Sequence, residues 1–177
     1  MKSKINLIIA AIGAALIIVS LAACAKEKED NESGSGGQAP EDIVAELYSG
    51  VDVPPYETIP LDESNFEFYA FIPYNEGLSA AAADALVNIT PHSLVVIHTD
   101  KGNGAELAEQ VAANADPNKW LCVRADALRV ASTNHYVVLV MSYQDTADAI
   151  IENFRNIAME LDGTEMVLEK SEDFTYE

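Results

Sequence analysis

Tyr136-Val137-Val138-Leu139-Val140-Met141 is a stretch without a charge, and it is followed by apolar residues at Ala147, Ile150, Ile151, Phe154, Ile157, Ala158 and Leu161. The first stretch is short, β-branched and continuously apolar, which marks a central strand. The second series falls at i, i+3, i+4, i+7, i+10, i+11 and i+14, the spacing of one helix face. Asp145 or Thr146 is placed to cap that helix, and Gly163 to end it. A strand feeding an amphipathic helix is the seed of a sheet with helices packed on it.

Working outward, Ala127–Ala131 reads as a strand, and Ser132-Thr133-Asn134 turns it back into 136–141 as a hairpin. Leu121–Val123 belongs to the same extended region, with a kink at Arg124–Asp126. Upstream, Ser93–Thr99 carries the buried run Leu94-Val95-Val96-Ile97. Gly102-Asn103-Gly104 then turns into a helix whose inner face is Leu107, Ala108, Val111, Ala112 and Ala115. Asn103 is its expected cap, with Glu106 three residues on, and Asp116-Pro117 ends it. The block 92–161 therefore reads β-α-β-β-α, with one right-handed helical crossover between parallel strands. The expected class is α+β: a two-layer sandwich with a mixed, mostly antiparallel sheet and helices on one face.

Before this block, Glu41–Ser49 predicts a helix, with Pro40 in its first turn and Gly50 after its end. Residues 51–64, with Pro54-Pro55 and Pro60, read as loop. Phe66, Phe68, Ala70 and Ile72 alternate with Glu67, Tyr69 and Phe71, which favours a strand. Residues 79–90 stay ambiguous, because Ala80–Ala83 prefers helix and 85–90 reads better as strand. Thr164–Glu169 suits a short edge strand.

The first 24 residues carry an address. Lys2 and Lys4 precede an apolar run from Ile5 to Ala23, which ends in Leu21-Ala22-Ala23-Cys24. A charged n-region, an apolar h-region and small residues before a cysteine match a bacterial lipobox. Residues 1–23 are the expected signal peptide, and Cys24 is the expected lipid attachment site. Its thiol takes a diacylglyceryl group, and two acyl chains anchor stably where one does not. Two readings compete: an uncleaved membrane anchor, since the run is close to the roughly 20 residues that span a bilayer, and a secretory signal with ordinary cleavage. Residues 24–39, rich in charge and then in Gly and Ser, follow as a flexible linker. The domain is expected over 40–170, with an acidic tail at 171–177.

The chain has a formal net charge of −19, and loss of residues 1–23 removes two lysines and no acid, leaving −21. That balance argues against nucleic acid as a partner and against flat docking on anionic lipid or wall polymers. With Cys24 lipidated, Cys122 is alone and cannot form an internal disulfide. Its apolar neighbours predict a buried, inert thiol.

His92-Ser93-Leu94-Val95-Val96-Ile97, then a helix, then Asp116-Pro117-Asn118-Lys119-Trp120-Leu121-Cys122-Val123, then the strand 136–141, resembles a group of small lipoproteins from Gram-positive anaerobes, classed as a domain of unknown function. The likeness covers about residues 40–160, and Asp-Pro-x-Lys-Trp is its most specific part. It implies a lipid-anchored extracytoplasmic α/β domain. It assigns no substrate and no catalytic residue.

Motifs that specify a reaction are missing. Gly102-x-Gly104 opens a helix, but Leu107 stands where a third glycine would fall and no P-loop lysine follows, so a tight turn is expected rather than a phosphate site. His92 and His98 share one strand face about 20 Å apart, too far for one ion. With His135 they read as three separate structural histidines, and no metal or cofactor is expected. There is no Gly-x-Ser-x-Gly elbow. Lys119 and Trp120 form the candidate interaction surface. The resulting expectation is a membrane-anchored extracytoplasmic lipoprotein: a non-catalytic module that binds an envelope protein or peptide. The alternative is a small envelope enzyme or ligand-binding receptor.

Overall fold

The computed structural model describes residues 37–87 and 89–175. The signal peptide, Cys24 and nearly all of the linker lie outside the described residues. The elements run α1 (Pro40–Leu47), β1 (Tyr56–Leu61), α2 (Phe66–Ala70), β2 (Leu78–Ala85), β3 (Ser93–Thr99), α3 (Gly104–Asn114), β4 (Ala127–Ser132), β5 (Tyr136–Ser142), α4 (Gln144–Asp162) and β6 (Val167–Asp173). The fold is an α+β sandwich on one six-stranded sheet of order β1-β2-β3-β5-β4-β6.

Every hydrogen-bonded neighbour in this sheet is antiparallel. The expected parallel crossover is nevertheless present in a split form. β3 and β4 run parallel with β5 inserted between them, and α3 connects them. β5 and β6 run parallel with β4 between them, and α4 connects those. Both crossovers step the same way along the sheet, but their strands point in opposite directions. Crossovers of one hand must then pass over opposite faces.

The helices accordingly cover both faces of the sheet, which corrects the expectation of one covered face. α1 and α4 pack on Ala81, Ala83, Leu94, Val96, Val138 and Val140. α2 and α3 pack on Ala80, Ala82, Val95, Ile97, Val137 and Leu139. Successive residues of β3 and β5 thus alternate between two cores, which is why both strands are buried along their whole length. Phe154 is fully buried at the centre of the α4 face.

Several local expectations give way to tertiary context. The alanine run forms β2, an interior strand, because small side chains let α1 approach closely on one face. Tyr56–Leu61 is a strand at the sheet edge, where Pro60 is tolerated. Phe66–Ala70 is a single helical turn rather than a strand: Phe66 and Ala70, four apart, are buried, and Phe68 between them is exposed. The signal lay just upstream, where the Asp62 carboxylate accepts from the Ser64 N–H at 2.8 Å and Asn65 Oδ1 accepts from the Asp62 N–H at 2.8 Å. That turn sets the chain for the helix.

Neither long helix has the side-chain cap expected of it. Asn103 Oδ1 accepts from the Thr99 hydroxyl at 2.8 Å instead, and α4 begins after Tyr143. β6 runs to Asp173, so residues expected to begin an acidic tail are paired with β4. Arg129, buried in β4, ties this edge down through Asp148 of α4 at 2.8 Å and Asp173 at 2.6 Å.

Candidate functional site

α3 ends at Asn114, and the chain then makes a tight polar turn. Asp116 Oδ1 accepts from both the backbone N–H and the side-chain amide of Asn118, each at 2.9 Å. The Ala125 N–H donates to the Pro117 carbonyl at 3.1 Å. That bond closes the neck of a loop whose tip is Trp120-Leu121-Cys122. The expected strand at 121–123 does not form, since the positions beside β3 and β4 are taken by β5 and β6. Leu121 is fully exposed and Cys122 is exposed, so the reading of Cys122 as a buried thiol is corrected.

The same turn sends Lys119 inward. Its ammonium donates to Asp84 Oδ2 at 3.0 Å and to Ser93 Oγ at 3.1 Å. Asp84 and Ser93 face each other across the β2–β3 ladder, so the sheet register presets this pair. Three rings surround the cation, with centroids at 4.9 Å for Tyr69, 5.4 Å for Trp120 and 5.5 Å for Phe68. Such distances lie within the range where a ring face attracts a cation. Burial pushes the Lys119 ammonium below the ordinary lysine range, and the attraction of Asp84 only partly offsets it. Burial likewise raises the Tyr69 phenol, with the charges of Asp84 and Glu57 adding to the effect. Lys119 is therefore an interior cation, satisfied by an acid, a hydroxyl and three rings. Trp120 is half-buried, with part of its surface packed on the α2/α3 core.

Two clefts flank the loop tip, and Trp120, Leu121 and Cys122 line both. One, of about 460 Å³, lies between the tip, α2 and the ends of β1 and β2, and includes Glu57, Ile59, Phe68 and Leu86. The other, of about 710 Å³, includes Pro91, Arg124, Asp126 and Tyr143. Phe68 and Leu86 are exposed, as are Val87 and Ile89 in the β2–β3 connection.

The histidines are distributed differently from expectation. His92 is fully buried between Tyr48 Oη, 2.7 Å from Nε2, and Ser142 Oγ, 2.9 Å from Nδ1. A serine, a histidine and a third polar group in a row is the order of a catalytic triad, but here Ser142 is buried together with His92 and Tyr48. Burial lowers the His92 imidazole to about 4, against a smaller opposing pull from Asp84. His98 and His135 are not separate: their rings stack with centroids 6.1 Å apart, and His135 Nδ1 donates to the Thr99 carbonyl at 2.9 Å. Among the described residues, no group of three or more His, Cys, Asp or Glu side chains is arranged to hold a metal ion.

Gly102 and Gly104 form the expected tight turn. Gly102 has φ +65°, and the Gly104 N–H donates to the Asn134 carbonyl at 2.7 Å, so that amide is already engaged. A Cβ on Gly104 would lie 2.1 Å from the Thr133 carbonyl oxygen, which excludes any larger residue there.

No family model matches this chain, and no curated protein or solved structure matches it either.

Proposed function

We propose that the chain is a lipid-anchored extracytoplasmic lipoprotein, akin to the small lipoproteins it resembles. Its α+β domain acts as a non-catalytic protein- or peptide-binding module of the cell envelope. Cys24 carries the anchor. The observation that supports the binding role is the loop tip Trp120-Leu121-Cys122, a wholly exposed leucine standing between two clefts. Soluble domains rarely leave apolar side chains grouped in this way unless a partner covers them. The half-buried Trp120 at the base suits an interface anchor.

The rival reading, a small envelope enzyme or ligand-binding receptor, draws on Lys119 beside Ser93 at a cleft wall. Two facts weaken it. Ser93 is fully buried, and Lys119 is committed to Asp84. A nucleophile needs access to substrate and a base that is free to accept its proton.

The two halves of the proposal have separate tests. Metabolic labelling with a fatty acid should mark the parent chain and leave Cys24→Ala unlabelled; equal label on both would end the lipoprotein reading. A membrane-impermeant crosslinker attached to the Cys122 thiol in intact cells should capture a defined protein, and Leu121→Ser should sharply reduce the yield. Capture that is indifferent to Leu121 would remove the cleft from the interface.

A further inference from the structure

The clefts beside the loop tip have a rim chemistry that narrows the partner. We infer that this surface docks a cationic, apolar-tipped polypeptide segment, in which an aliphatic or aromatic side chain enters the cleft between Phe68, Leu86 and Leu121 while flanking lysines or arginines face the acidic exterior. The inference rests on the binding-module reading above and adds the class of partner.

The apolar half of the argument is geometric. Leu86 and Leu121 line the same cleft from different loops, and Phe68 closes it from α2. A cleft of about 460 Å³ falls in the range of sites that take a small ligand or a few side chains, about 300–1,000 Å³. Val87 and Ile89, which follow Leu86 in the β2–β3 connection, are exposed as well. An extended segment uses such a surface, and an enclosed small molecule does not.

The charged half decides among occupants. The chain carries 29 acids against 10 bases. Of those bases, Lys119, Arg129, Arg155 and Lys170 are each in an ion pair with an acid. Lys119, the cation at the cleft wall, points inward to Asp84 and adds little positive field outside. Glu57 lines the cleft that holds Phe68 and Leu86, whereas in the other cleft Asp126 stands with Arg124, so the acidic bias lies at the first. A second copy of this chain would bring the same negative field against itself, and anionic lipid would do likewise. A basic segment is drawn in and oriented by it.

Trp120 is the single tryptophan of the chain, so its emission reports the cleft directly. The full chain in neutral detergent would be titrated with a short peptide alternating lysine and leucine, with its glutamate–leucine counterpart, and with a lysine–serine counterpart. The lysine–leucine peptide should give a saturable blue shift that weakens steeply as salt rises from about 0.05 to 0.5 M, as screening shortens the reach of the charges. Leu121→Ser and Leu86→Ser should each weaken it at least tenfold, and Glu57→Lys severalfold. Both leucines are exposed, so these variants keep the fold, which circular dichroism would verify. The inference is overturned by no shift with the lysine–leucine peptide, by equal binding of the glutamate–leucine peptide, by a concentration-dependent dimer that Leu121→Ser abolishes, or by the same shift with zwitterionic vesicles. Crosslinks from Cys122 to a protein through a segment without basic residues would overturn the charge argument and leave the binding-module reading standing.

Discussion

The two faces of the sheet are covered to different depths. On one, the helices α1 and α4 both pack their apolar residues onto the sheet. On the other, α3 covers the β4–β5 side, but the β1–β2 side receives only the single turn α2 and an irregular loop. The first face is covered by two helices that pack around the fully buried Phe154. The second is completed by a caged lysine and left open as two clefts. Regular helices bury the first face, and the irregular loop on the second leaves Leu121 exposed.

The comparison breaks most visibly if the closed face can lose its keystone. Phe154→Ala should lower stability by about 3–5 kcal/mol, the cost of emptying a fully buried aromatic site. Domains of this size hold only about 5–15 kcal/mol in total. Denaturant melts read the loss directly, and a change under about 1 kcal/mol would mean that α4 is not the main cover of this face.

Next in size is an acid effect at the end of the same face. His92 is buried neutral, with its imidazole lowered to about 4. The unfolded chain binds a proton near pH 6.5 that the folded chain refuses, so stability falls as pH drops through the window from 6.5 to about 4. The full window is worth about 3 kcal/mol. Melts at several pH values should show this slope, and His92→Asn should flatten it; an unchanged slope in the variant would place the titrating group elsewhere.

On the open face, Lys119→Met should cost about 2 kcal/mol, because it strands Asp84 and Ser93. The figure stays below that for a fully buried pair because the Asp84 side chain is partly exposed. Adding Asp84→Leu should recover most of the loss. A double variant no better than the single one would show that the cage, rather than the ion pair, holds the loop.

A smaller effect sharpens the closed face. Asn153 Nδ2 donates to the carbonyls of Leu47 and Ser49, both at 2.9 Å, and so caps α1 from α4. Asn153→Ala should therefore cost about 1 kcal/mol, although Asn153 lies outside the apolar stripe of α4, about 100° round the helix from Phe154. Leu121→Ser, at the exposed tip, should change stability by no more than about 0.5 kcal/mol. Equal melts for Leu121→Ser and the parent, combined with loss of crosslinking, would separate binding from folding.

Much of the folding logic was legible in local pattern. The periodicity of 147–161 gives α4, and the uncharged runs at 94–97 and 136–141 give β3 and β5. Those same runs carried a further message. A strand that is apolar at every position needs cover on both faces, so helices on one face alone were already inconsistent with residues 136–141. The apolar trio Leu121-Cys122-Val123 misleads because hydrophobicity marks burial only where the sheet has a place for the segment.

By itself the sequence determined the α+β class, the α4 stripe, the tight turn at Gly102 and Gly104, and the acidic exterior, because each follows from spacing or composition within a short window. Tertiary structure alone decided which residues form the site. Lys119 meets Asp84, Ser93, Phe68 and Tyr69 only after four separate segments are brought together by strand register and by the neck at Pro117 and Ala125. A lysine's long stem can turn toward solvent or toward an acid, and local sequence does not distinguish the two. The choice is made by the free energy of pairing a partly buried carboxylate that lies far away along the chain.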